Sequence, residues 1–250
     1  MRRVIAADAP ENSGLAAVAQ VLRERRPASG CFIIGVTGGV AAGKSTFSAA
    51  LQAMLDAWPE RPTVERVSSD GFLHSNAVLD SLGLTARKGF PESYDVEAMR
   101  AALSGIRTGP ALFPSYSHVT YDVDPALGRR LEPPGILIIE GLGLSTADAG
   151  PAAGLIDVLI YLDAEELDIE GWFVDRFLGF WAAAEHDPTS FYARFRQLDG
   201  DGAAQMARVV WAQINLPNLQ DHIAPVRAAA DIVVHKQADH RISHITVAVS

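Results

Sequence analysis

The chain has 250 residues, 48% hydrophobic and 20% charged, with a formal net charge of −9 and one cysteine. That length and balance suit one large α/β domain with a substantial core. They argue against a nucleic-acid binder, which needs a basic face, and against an intrachain disulfide framework, which fits a reducing compartment.

No stretch approaches the roughly 20 apolar residues of a membrane span. Met1-Arg2-Arg3 is basic, but no apolar run follows, so no signal peptide is expected. Residues 14 to 26 (GLAAVAQVLRERR) read as an amphipathic helix with Leu15, Val18, Ala19 and Leu22 on one face. CFIIGVT (31–37) is a continuous apolar run, as in a strand covered on both faces, and Cys31 reads as a core residue. A glycine-rich turn follows, then a helix near 44 to 56 and a second strand, TVERVSS (63–69). Residues 71 to 94 carry short helix and loop signals, and 95 to 107 a further helix. GILIIE (135–140), DVLIYLD (157–163), DIVVHK (231–236) and HITVAV (244–249) read as strands. Residues 164 to 216 read as helical, with breaks at HDP (186–188) and LDGDG (198–202). Apolar strands alternating with helices predict a mostly parallel sheet with helices on both faces, and a ligand at the strands' carboxyl ends.

The turn after the first apolar strand matches G-x-x-x-x-G-K-[ST] in full, with Gly38, Gly43, Lys44 and Ser45. Glycines let the backbone wrap its N–H groups around phosphate oxygens, and the helix that starts there adds its positive end. Lys44 would reach the β- and γ-phosphates and the Ser45 hydroxyl would ligate Mg²⁺. The motif lies between a predicted strand and a predicted helix, as it must, so the expected donor is a nucleoside triphosphate, ATP by default.

Asp70 ends the second strand (VSSDGFLH), at the same sheet edge. It could take a proton from an attacking alcohol, ligate the metal, or cap the helical turn after Gly71. Glu140 also stands at a strand end, either near Mg²⁺ or as a solvated carboxylate. PSYSHVTYD holds Tyr116, His118 and Tyr121, a polar pocket or a structural histidine between tyrosines. In GWFVDRFLGF, Trp172, Phe173, Phe177 and Phe180 accompany Arg176, either a core stripe with a snorkelling arginine or an aromatic wall with a cation for the transferred phosphoryl group.

The strings GGVAAGKST, SSDGFLHSN, KGFPESYD, YSHVTYD, IIEGL, RFLGF and INLPNL occur in this order between about residue 31 and about residue 247. Together they resemble bacterial type I pantothenate kinases; uridine kinase and phosphoribulokinase share the P-loop but match the other strings poorly. The resemblance implies a three-layer P-loop kinase fold, with a mostly parallel central sheet flanked by helices. It divides the chain into an N-terminal helical segment (1–30) and one kinase domain (31–250). It implies ATP- and Mg²⁺-dependent phosphorylation of the primary hydroxyl of pantothenate, the first step of coenzyme A biosynthesis. Gly38, Gly39, Val40, Ala41, Ala42, Gly43, Lys44, Ser45 and Thr46 would then hold the nucleotide, with His240 beside its base and Ser45 and Glu140 at the metal. Asp70 would be the catalytic carboxylate; Tyr116 and His118 would line the pantothenate site, His118 also near coenzyme A. Arg176 would contact the phosphoryl group and substrate, Asn218 the amide of pantothenate, and Phe177 and Phe180 an aromatic wall. Phe173 replaces the family's usual tyrosine in the substrate site, and the segment before the first apolar strand is shorter than usual. Coenzyme A as a feedback inhibitor, a homodimer and a cytoplasmic location follow from the same resemblance. A kinase of another alcohol or nucleoside, and a non-catalytic nucleotide or coenzyme A sensor, are the competing readings.

Overall fold

Strand β2 (Phe32–Gly38) is buried at every residue and lies inside a seven-stranded sheet. It pairs in parallel with β6 (Ile136–Glu140) on one side and β7 (Val158–Asp163) on the other. β3 (Val64–Ser68) adds to β6 and β8 (Ile232–Lys236) adds to β7, both in parallel. Two antiparallel strands finish the far edge: β9 (Ile242–Ala248) on β8, then β1 (Arg2–Ala6) on β9. The computed structural model describes residues 2–6, 13–142, 144–146, 150 and 152–249.

Alternation along the strands divides the core between the two faces of the sheet. Ile34, Ile138 and Ile160 meet α1 (Ser13–Arg25) and α2 (Lys44–Asp56) on one face. Ile33, Leu137 and Leu159 meet α4 (Val96–Gly105) and the start of α5 (Glu166–Ala183) on the other. Helix α1 buries Leu15, Val18, Ala19 and Leu22, the face its spacing predicts. A third apolar cluster joins the outer half of α5 to α6 (Gly200–Val210) through Val174, Phe177, Tyr192 and Ala207. A short helix, α3 (Asn76–Ser81), follows the loop after β3.

Three strands have no counterpart in the sequence reading. β1 is short and largely exposed, so it carries no alternation, and the reading has only helix in that segment. β4 (Ala111–Ser117) and β5 (Asp122–Leu131) form a separate hairpin whose register shifts between Phe113 and Ser115. Pro114, which has no N–H to give the ladder, sits at that shift.

Helix α6 runs on past its end. Trp211–Asn215 and Leu219–Ile223 are π turns on either side of a single α turn, Leu216–Asn218. Pro217 removes one helical donor and crowds the preceding turn, and a widened turn accommodates both. No helix among the described residues is long and apolar enough to cross a membrane.

Candidate active site

The phosphate loop joins β2 to α2. Gly38 has φ +144°, and a Cβ there would lie 2.5 Å from the Leu162 carbonyl oxygen, so the chain turns tightly against β7 only with glycine. Gly43 has φ +85° and immediately precedes the first turn of α2. Ala41 takes φ +63°, a strained value for a residue with a side chain, of the kind that collects at ligand sites. Lys44 folds back and donates to the carbonyls of Gly38 (3.2 Å) and Gly39 (2.9 Å). Burial pushes its pKa down, against the pull of Glu140 and Asp70.

β6 is the neighbour of β2, so its last residue, Glu140, reaches the first turn of α2. Ser45 Oγ donates to Glu140 Oε1 at 2.8 Å, and Glu140 is only 7% exposed. A hydroxyl and a buried carboxylate are hard oxygen donors, which fits Mg²⁺. No group of three or more His, Cys, Asp or Glu able to hold a metal exists among the described residues.

Asp70 lies in the 3₁₀ turn Ser69–Phe72 that follows β3. The cap of this turn is Ser68, whose Oγ accepts the Asp70 N–H at 3.2 Å, so the Asp70 carboxylate has no capping duty. Burial raises its pKa; Lys44, Arg176, the Tyr94 hydroxyl and Lys88 pull the other way. The segment PESYD clips this turn from one side. His74 N–H donates to Ser93 O (2.8 Å), Asp95 N–H donates to Phe72 O (2.7 Å), and Leu73 pairs with Tyr94. On the other side the hairpin backbone presses in: a Cβ on Gly71 would lie 2.1 Å from Pro114 O.

One cavity of about 1740 Å³ receives these elements. Of the residues singled out from sequence, it is lined by Val40, Ala41, Gly43, Lys44, Ser45, Thr46, Asp70, Tyr116, His118, Tyr121, Glu140, Trp172, Phe173, Arg176, Phe177, Asn218 and His240. Gly38, Gly39, Ala42 and Phe180 are not on its wall. Gly38 and Gly39 turn the chain below it, the Ala42 side chain is fully buried, and Phe180 backs His118 with ring centroids 6.2 Å apart. His118 stands edge-on to Tyr116 (5.2 Å); burial and the nearby Arg176 hold its pKa below the usual histidine value. The Arg176 guanidinium lies 5.5 Å from the Phe180 ring. Phe177 is buried and Phe173 half-buried, so the stripe serves the core and the cavity wall together. Asn218, 5% exposed, donates from Nδ2 to Gly89 O at 2.9 Å. At the opposite end His240 stacks on Trp172, with ring centroids 4.2 Å apart and 26° between planes.

The sequence does not single out three further residues here. Lys88 donates to Asn76 Oδ1 and Tyr121 O, both at 2.6 Å, and lies 4.9 Å from the Tyr116 ring. Tyr94 meets Asp70, and Lys236 meets the phosphate loop. Lys88 and Tyr94 both belong to KGFPESYD, so the motif marked them without assigning a task. Lys236 ends an ordinary strand, and nothing local distinguishes it.

Residues 33–171 match the Phosphoribulokinase / Uridine kinase family. A pantothenate kinase of Rhodopseudomonas palustris (strain TIE-1) is 42% identical over 226 residues, 86% of this chain and 71% of that protein. The chain belongs to the pantothenate kinase family. A pantothenate kinase of Sorangium cellulosum is likewise 42% identical, over 87% of this chain and 71% of its own. Among solved structures, a Silicibacter sp. TM1040 protein described as a fructose transport system kinase superposes with a TM-score of 0.69 at 26% identity, covering 86% of this chain and 95% of that one. D-glycerate 3-kinase from Cryptococcus neoformans shares the fold at 12% identity, TM-score 0.62, over 92% of this chain and 98% of its own. The fold is that of P-loop kinases, and the chain is a phosphotransferase with an alcohol group as acceptor.

Proposed function

We propose that this pantothenate kinase family member transfers the γ-phosphoryl group of ATP to the primary hydroxyl of pantothenate. The observation that carries the choice of acceptor is Asn218. Its Oδ1 is buried and has no hydrogen-bond partner, while its Nδ2 is committed to Gly89 O. A buried acceptor left unpaired costs about 1–3 kcal/mol, and the amide N–H of pantothenate would satisfy it. Pantothenate also carries a carboxylate, which suits a cavity with Lys88 and Arg176 on its wall.

In this reading the loop amides from Gly39 to Thr46 and Lys44 hold the β- and γ-phosphates. Ser45 and Glu140 would hold Mg²⁺, which would offset charge between those phosphates. Asp70 accepts a hydrogen bond from the acceptor hydroxyl and orients its oxygen towards the γ-phosphorus. As the new O–P bond forms, the bond from phosphorus to the β,γ-bridging oxygen breaks, ADP departs, and the hydroxyl proton passes to Asp70, which later releases it to water. Arg176 faces the charge that spreads over the transferring group. His240, stacked on Trp172, offers a flat surface for the base. A homodimer, coenzyme A as an inhibitor bound near His118, Phe177 and Phe180, and a cytoplasmic location complete the reading; the family resemblance supports these three.

The test is ADP release with ATP and Mg²⁺, with and without pantothenate, against a panel of other alcohols and nucleosides. Pantothenate-dependent release is expected. Release with another acceptor alone would overturn the substrate, and coenzyme A binding without turnover on any acceptor would favour a sensor.

A further inference from the structure

We propose that Lys236 is a positioning residue for the phosphate loop: by holding the Ala42 carbonyl outward, it turns the Gly43 N–H into the cradle that receives the nucleotide's phosphates. The inference rests on the nucleotide site proposed above and assigns a task to a residue at the far end of the chain.

The contact is direct. Lys236 Nζ, at the end of β8, donates to Ala42 O at 2.7 Å. In a planar trans peptide the carbonyl of one residue and the N–H of the next point in opposite directions. Fixing the Ala42 carbonyl therefore fixes the Gly43 N–H on the opposite side. The constraint has work to do, because Gly43 has φ +85° and a glycine there leaves this peptide free to rotate. The Ala42 side chain is fully buried in the core against α2, which anchors the near end of the same peptide. The fit of lysine and glycine is mutual. A Cβ on Gly43 would lie 2.8 Å from Lys236 Nζ, so any larger residue would push the ammonium off its carbonyl.

Lys236 is itself held in place. Its ammonium lies 4.8 Å from the Trp172 ring centre and 3.3 Å from His240 Nδ1. Burial and the nearby Lys44 lower its pKa to about 8. A cation placed at such cost, beside another lysine, is a poor choice for packing alone, and methionine would fill the same space without penalty. The carbonyl it holds supplies a reason for the charge.

The test compares wild type, Lys236→Met and Lys236→Arg at pH 7, after thermal melting establishes that each is folded. ADP binding is measured by calorimetry, and adenosine binding by its competition against ATP turnover. Lys236→Met should weaken ADP by about tenfold, the effect expected for losing one charge-assisted hydrogen bond. Adenosine, which has no phosphate, should bind as before, and Lys236→Arg should restore most of the ADP affinity. Equal losses for ADP and adenosine would assign Lys236 to the base instead, and unchanged ADP affinity would remove it from the loop altogether. If Lys236→Met does not fold, Lys236→Gln, too short to hold the carbonyl, carries the same expectation. Failure of wild type to bind ADP would overturn the nucleotide site itself, an outcome distinct from either.

Discussion

Tyr94 Oη lies 3.4 Å from Asp70 Oδ1, and the two residues sit in segments that hydrogen-bond to each other through Phe72, His74, Ser93 and Asp95. The bond favours the ionised carboxylate, while burial disfavours it. In the proposed role Asp70 must be ionised to accept a proton, so turnover should be lost as pH falls through its raised pKa. Tyr94→Phe removes one of the groups that oppose burial, so the acid limb of kcat/KM should move to higher pH with KM for ATP unchanged. Asp70→Asn should lower turnover by about 10²–10⁴-fold and leave ATP binding intact. A pH profile of the three proteins checks both statements. A Tyr94→Phe limb coincident with wild type would separate the two residues, and full turnover in Asp70→Asn would remove Asp70 from the base role.

Lys88 gives the site a second pH dependence, of opposite sign. Burial pulls its pKa down to about 8, against Asp122 and Asp70. Above that value it loses the charge that suits an anionic acceptor. KM for pantothenate should therefore rise as pH increases through about 8. Lys88→Met should show a high KM that is flat across the same range. Initial rates at varied pantothenate between neutral and alkaline pH measure this; a rise in KM that persists in Lys88→Met would place the titrating group elsewhere.

Phe173 borders the cavity between Trp211 (5.9 Å) and Phe177 (6.5 Å). Phe173→Tyr adds one donor to that wall. One new hydrogen bond to substrate is worth about three- to tenfold, so KM for pantothenate should fall by that factor with kcat little changed. An unaltered KM would point to a different acceptor.

Gly71 is the point where the Asp70 turn touches the hairpin. In Gly71→Ala the new methyl group would meet Pro114 O at 2.1 Å, so turn and hairpin must part. Overpacking of this kind costs about 1–3 kcal/mol. Denaturant melts should show a loss in that range, and activity should fall further than stability, because the displaced residue is the neighbour of Asp70. Wild-type activity in Gly71→Ala would mean that the turn's position is not critical.

The parallel strands were legible because burial on both faces writes continuous apolar runs such as FIIGV and ILIIE. The phosphate loop was legible because backbone wrapping demands glycine at fixed spacing. β1, β4 and β5 were not. β1 is nearly all exposed, and the hairpin mixes proline, serine and charge because much of it faces solvent. Asp70 left three readings open in the sequence, and only coordinates show Ser68 taking the cap. Lys236 and Ala42 meet although 194 positions separate them, so no local pattern could announce the pair.

The two π turns around Asn218 are a register device. Each stretches the ladder to hold one more residue than a regular helix would, with poorer hydrogen bonding as the cost. Deleting one residue from Trp211–Asn215 would let the helix close into a regular ladder with a different twist at that turn, shifting Asn218 relative to Gly89. A chain shortened there should melt later and bind its acceptor worse. Anyone improving this protein by making its helices more ideal would be editing the site proposed for its substrate.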